Sequence, residues 1–135
     1  IQNIHIIGQS LGAAVAVDSA KHLNPSSLIL ISPFTSLHDM AVIVIGHWWA
    51  QLLYPFLWDS YQTQVTLSQI QTLIPNINVT ILHGTKDRVV PISMGKSLAV
   101  RNNWIEFVPI TGMGHDINEL ALQHIVSRIT NRCKS

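Results

Sequence analysis

Four short apolar runs pace this chain: Ile4-His5-Ile6-Ile7, Leu28-Ile29-Leu30-Ile31, Asn78-Val79-Thr80-Ile81-Leu82-His83 and Trp104-Ile105-Glu106-Phe107-Val108. Each is strand-sized, and each of the first three ends against a turn residue such as Gly8, Ser32-Pro33 or Gly84, so they read as buried strands. The stretches between them read as helices. Leu11–Leu23 is rich in alanine and closed by Asn24-Pro25; Pro91 can open a helix running to about residue 100. A last helix is expected over residues 116–132, capped by Asp116 with Glu119 as its capping-box partner. Ile117, Leu120, Ala121, Ile125 and Ile129 form its apolar face. Strand and helix in alternation imply a mostly parallel sheet with right-handed crossovers and helices on both faces.

Composition agrees with that class. The 135 residues are enough for one domain at most. They are 47% hydrophobic and 11% charged, with a mean hydropathy of +0.30. A membrane span needs about 18 consecutive apolar residues; here the apolar residues come in short blocks, as a sheet covered on both faces requires. The net charge of +1 offers no electrostatic case for nucleic acid. Cys133 is the one cysteine, so there is no internal disulfide and no zinc spacing; neither a metal nor a cofactor is implied, and cysteine usage leans weakly to the cytosol. Asn78-Val79-Thr80 fits a glycosylation acceptor but opens a buried strand, where chance is the better reading. The chain begins at Ile1 and runs almost at once into a strand, as expected of a fragment of something longer.

One motif carries chemistry. Gly8-Gln9-Ser10-Leu11-Gly12 is a G-x-S-x-G sequence set between an expected strand and an expected helix. Such a turn holds its serine in a strained backbone conformation above the sheet edge. Gly8 and Gly12 are expected to be glycine because side chains there would clash. The backbone N–H of Leu11, at the helix start, is expected to face a developing oxyanion. The plainer alternative is a glycine-rich turn with an incidental serine; no Walker lysine follows, which sets aside a phosphate loop.

A serine hydroxyl needs a histidine to take its proton and a carboxylate to steady the imidazolium. Asp87 follows the third strand, and His115 follows the fourth, in Gly112-Met113-Gly114-His115-Asp116. The order Ser, acid, His and the positions past the carboxyl ends of strands make Ser10, Asp87 and His115 a candidate triad. Taken singly, Asp87 reads as a solvated turn residue between Lys86 and Arg88, and His115 as a helix-start histidine. His5 and His83 read as core or supporting residues. Asp39, the rival acid, comes several residues late, inside the stretch 38–73.

These segments resemble the serine-hydrolase branch of the α/β-hydrolase superfamily. Leu28-Ile29-Leu30-Ile31-Ser32-Pro33-Phe34-Thr35-Ser36-Leu37 is similar to the corresponding segment of α/β-hydrolase-domain proteins that include protein depalmitoylases. The resemblance implies an α/β-hydrolase fold, no cofactor, and hydrolysis of a carboxylic ester or thioester in a small molecule or acylated protein. It also implies that the strands before the nucleophile strand are missing, and with them a second oxyanion donor. Residues 1–135 are thus expected to be a partial hydrolase domain.

Residues 38–73 are expected to form a helical, cap-like insertion. Trp48, Trp49, Tyr54, Phe56 and Trp58 stand among aliphatics there. A cap over the site, with Trp48 and Trp49 lining an acyl pocket, is the favoured reading. A helix touching a membrane surface and plain core packing are the others. Two further functions stay open: a non-catalytic binding or scaffold domain with this fold, and a serine peptidase.

Overall fold

A computed structural model describes residues 4–46, 52 and 62–131 of the chain. Four strands, β1 (His5–Gln9), β2 (Ser27–Ile31), β3 (Asn78–Gly84) and β4 (Glu106–Ile110), form one parallel sheet in the order β1-β2-β3-β4. Helix α1 (Leu11–Leu23) joins β1 to β2. Helices α2 (Leu37–Ile45) and α3 (Thr63–Leu73) lie between β2 and β3, α4 (Ile92–Arg101) follows β3, and α5 (Glu119–Thr130) follows β4.

Strand alternation divides the core in two. Leu28, Leu30, Val79 and Ile81 point to one face and pack with Ala13, Ala16, Val17 and Ala20 of α1, Leu67 and Ile70 of α3, and Leu98 of α4. Ile29, Ile31, Leu82 and Ile110 point to the other, beneath Ala121 and Ile125 of α5. The alanines of α1 let its backbone approach the sheet closely, and the helix ends at Asn24 in the left-handed conformation, whose N–H returns to the Ala20 carbonyl. With helices on both faces, β2 is buried along its whole length, which is why it reads as an unbroken apolar run.

The expected elements shift in two places. Strand β4 begins at Glu106 rather than Trp104; Ile105 and Trp104 instead join the core ahead of it. Helix α5 starts at Glu119, and its cap is Asn118, whose side chain accepts from the Ala121 N–H at 2.9 Å. Asp116 therefore lies in the preceding loop and caps nothing, and Ile117 and Leu120 are exposed. The backbone must travel past Ile110 and back before it can turn helical, and that leaves residues 111–118 irregular.

The stretch 38–73 is not uniform. Helix α3 is a sheet-covering helix; Thr63, Leu67 and Ile70 are buried, and Leu67 and Ile70 share a core with α1. Helix α2 buries none of its residues fully, though Leu37 and Met40 pack on Phe34, Val90, Ala14 and Met94. Trp48, Trp49, Tyr54, Phe56 and Trp58 lie outside the described residues.

Pro109 removes one N–H from β4, which among the described residues pairs with β3 alone, a usual position for proline in a sheet. Asn78 is exposed at the start of β3, but Thr80 is buried and donates to Glu106 at 3.2 Å. Among the described residues, no helix is long and apolar enough to cross a membrane.

Candidate active site

The parallel register aligns Gln9 with Ile31, Ile31 with Leu82, and Gly84 with Ile110. The loops that follow all leave the same sheet edge.

Ser10 stands between β1 and α1 with φ 52° and ψ −119°. A non-glycine residue there is strained, by about 1–3 kcal/mol. Its N–H bonds the Ile31 carbonyl at 2.9 Å, which ties the turn to β2. Gly8 makes the turn sterically feasible. A Cβ on it would fall 2.3 Å from the Gly12 carbonyl oxygen, and 2.7 Å from both Ala13 Cα and Ala16 Cβ. Gly12 departs from expectation: a Cβ on it would meet nothing within 4 Å among the described residues. The clash argument thus holds on one side of Ser10 only, because α1 packs over Gly8 while Gly12 sits on the open side of the helix's first turn. The Leu11 N–H belongs to that first turn, where amides have no partner within the helix.

Asp87 and His115 are brought together. His115 Nδ1 lies 3.0 Å from Asp87 Oδ2 and 3.3 Å from Oδ1. The Asp87 side chain is fully buried and that of His115 is one-quarter exposed. Asp87 Oδ1 also accepts from the Val89 N–H at 2.9 Å and the Val90 N–H at 2.8 Å, an arrangement that locks the carboxylate inside its own turn. Burial pushes the Asp87 carboxyl up, but the nearby Ser32 hydroxyl, the Val90 amide, His115 and the Val89 amide outweigh it and hold it below its ordinary value. With Nδ1–H directed at Asp87, Nε2 is the ring atom left to accept a proton.

The loop that carries His115 is fastened to the loop that carries Asp87. Lys86 N–H bonds the Met113 carbonyl at 3.0 Å, Thr85 N–H bonds the Ile110 carbonyl at 3.1 Å, and Gly112 N–H bonds Thr85 Oγ1 at 2.9 Å. From the other side, Gln9 Nε2 donates to the His115 carbonyl at 2.8 Å. The residue preceding Ser10 thus touches the backbone of His115.

Two residues support this arrangement, Gly84, which stands out only in three dimensions, and His83, which the sequence reads as a core or supporting residue. Gly84 lies so close to the base loop that a Cβ would sit 2.2 Å from the Met113 carbonyl oxygen. His83 is fully buried, bonded through Nε2 to the Val90 carbonyl at 2.9 Å, with Asp87 Oδ2 at 3.8 Å. Burial holds its pKa down against the Val90 carbonyl and Asp87, so it is a neutral brace for the acid's turn. Its Nδ1 has no hydrogen-bond partner among the described residues and faces Gly95, where a Cβ would come within 2.4 Å. The burial of His83 agrees with its reading from sequence as a core or supporting residue.

The other sequence candidates are placed elsewhere. Asp39 sits in the first turn of α2, bonded by the Thr35 hydroxyl, while its own N–H bonds Ser36 Oγ. His5 pairs with Ser27 Oγ at 2.7 Å across β1 and β2. Among the described residues, no group of three or more His, Cys, Asp and Glu could hold a metal ion.

No protein-family model matches the chain. An uncharacterized protein of Mycobacterium tuberculosis is 32% identical over 118 residues, 87% of this chain and 39% of that protein. The alpha/beta hydrolase domain-containing protein 17B of Homo sapiens is 30% identical over 125 residues, 92% of this chain and again 39% of the relative. The chain therefore spans about two-fifths of the length of these relatives. Among solved structures, an esterase of Pyrococcus furiosus superposes with a TM-score of 0.64 at 18% identity, covering 97% of this chain and 52% of the esterase. The acyl-protein thioesterase 2 of Zea mays gives 0.60 at 17% identity, covering 94% and 55%. Sheet order, elbow and relatives agree: the chain belongs to the α/β-hydrolase superfamily.

Proposed function

We propose that the protein is a serine hydrolase that cleaves a carboxylic ester or thioester through an acyl-enzyme on Ser10. The observation that carries this reading is the Asp87–His115 pair at 3.0 Å, held by Gln9 against the strained turn that presents Ser10. The structural neighbours include an esterase and an acyl-protein thioesterase, which suits a small-molecule or acylated-protein substrate.

In this reading His115 Nε2 takes the Ser10 proton as Oγ attacks the acyl carbon. Asp87 steadies the imidazolium and keeps the ring in the tautomer whose Nε2 is unprotonated. The Leu11 N–H contributes to holding the oxyanion. His115 then returns the proton to the leaving alcohol or thiol. Water repeats the sequence on the acyl-enzyme and releases the acid. In this reading each oxyanion donor is worth about 100- to 1,000-fold in turnover. Because the chain spans only about two-fifths of its relatives, a non-catalytic binding domain is the second reading.

Labelling by a fluorophosphonate probe separates the two. The intact gene product should be labelled, and Ser10→Ala should lose both labelling and esterase turnover while keeping its circular dichroism spectrum. Asp87→Asn should lower turnover by about 10,000-fold, whereas Asp39→Asn, engaged at the α2 cap, should stay within a few-fold of parent. Full activity in Ser10→Ala would end the hydrolase reading. Loss in Asp39→Asn but not Asp87→Asn would reassign the acid.

A further inference from the structure

Gln9 is the last residue of β1, directly before Ser10, and its hydrogen bond to the His115 carbonyl crosses 106 positions of sequence. A carbonyl only accepts, so the amide orientation is fixed with Nε2 toward residue 115. We infer that Gln9 is a positioning residue that clips the base loop onto the nucleophile turn and so sets where His115 stands relative to Ser10. This rests on the hydrolase reading above.

The reason lies in how the three loops are connected. The acid and base loops are bonded to one another through Thr85, Lys86, Gly112 and the Asp87–His115 pair. They behave as one body, and none of those bonds reaches Ser10. Ser10 is anchored separately, to β2, through its N–H on the Ile31 carbonyl. Ala14 of α1 packs with Val90 of the acid turn, but among the described hydrogen bonds the Gln9 amide is the one that ties the base loop to the nucleophile turn. Its acceptor is the carbonyl of the base itself, so any slack passes straight to the imidazole. Catalytic geometry is unforgiving of slack: a misplacement of about 1 Å can cost about 100-fold.

Three substitutions separate the donor from the bulk. Gln9→Met keeps the length without a donor. Gln9→Glu keeps the shape but, once ionised, offers only acceptors to a carbonyl. Gln9→His carries a ring N–H as many bonds from Cα as the glutamine amide nitrogen. Each is made in the intact gene product and assayed for fluorophosphonate labelling rate and p-nitrophenyl acetate hydrolysis at pH 8. The expected result is a kcat and labelling rate lowered about 10- to 100-fold in Gln9→Met and Gln9→Glu. KM should stay within about threefold and the melting temperature near parent, since nothing in substrate binding or the core has changed. Gln9→His should recover most of the lost rate. If Gln9→Met does not fold, the contrast between Gln9→Glu and Gln9→His decides the matter. A labelled parent whose Gln9→Met and Gln9→Glu variants react as fast as it does would overturn this inference and leave the hydrolase reading standing. An unlabelled parent would end both.

Discussion

Gly84→Ala tests whether the base loop is held in place by close packing on the end of β3. Gly84 has no left-handed φ, so alanine meets no backbone penalty there and the whole effect is steric. Its Cβ would lie 2.2 Å from the Met113 carbonyl oxygen, 2.5 Å from that of Gly114 and 2.7 Å from the Met113 carbonyl carbon. All three neighbours are backbone, so no side chain can swing aside; the loop must retreat by about 1 Å to reach ordinary contact. That displacement feeds directly into His115, the next residue after Gly114. Overpacking of this kind costs about 1–3 kcal/mol, and a shift of about 1 Å at a reacting group costs about 100-fold in rate. Urea unfolding and fluorophosphonate labelling of the intact gene product measure the two effects separately. Gly114→Ala is the control: it is nearer to His115 in sequence, yet its Cβ would meet nothing within 4 Å among the described residues. If Gly84→Ala keeps parental stability and labelling rate, or if Gly114→Ala is the more damaging of the two, the packing argument is wrong.

Four further outcomes follow from the same geometry. Gly95→Ala should destabilise by about 1–3 kcal/mol in urea melts, because its Cβ would press on the buried His83 ring at 2.4 Å, and His83→Ala should relieve that added cost when the two are combined. His83 is held below 6.5 in the folded chain, so the unfolded chain takes up the extra proton; stability should be full above pH 6.5 and fall as pH drops below it, a slope that His83→Phe removes. Asp87 is depressed below 3.8, so its contribution is present above that value and is lost at lower pH as the folded carboxylate is protonated; Asp87→Asn should flatten that lower step in an acid titration followed by circular dichroism. Asn118→Ala should cost about 1 kcal/mol by removing the α5 cap, whereas Asp116→Ala should leave the urea midpoint in place.

Much of this was legible in the sequence, for identifiable reasons. A parallel sheet covered on both faces forces whole strands to be apolar, so Leu28-Ile29-Leu30-Ile31 announces itself without periodicity. The turn at Ser10 is legible because its strand and helix neighbours are unambiguous and Gly8 cannot be replaced. Helix starts were less so. Asp116 and Asn118 are chemically interchangeable caps, and what selects Asn118 is the length of loop needed to return from Ile110. Gly12 fits the motif, yet the steric need for glycine lies at Gly8, since the motif does not show which side the helix packs on. Gly84 and Gly95 are silent in sequence, since what they make room for lies far along the chain or on another element.

The same logic explains why an acid and a base separated by 28 residues meet so closely while the nucleophile needs a separate clip. β3 and β4 are neighbours paired in register, with Gly84 opposite Ile110, so their following loops start side by side and can bond backbone to backbone. β1 is separated from β4 by two whole strands, and its following residues enter a helix at once. Among the described hydrogen bonds, the connection from this turn to the base loop is made by a side chain, that of Gln9. A glutamine directly before the strained serine supplies the reach and a donor, while a shorter residue there would leave the acid–base pair intact but unmoored from Ser10.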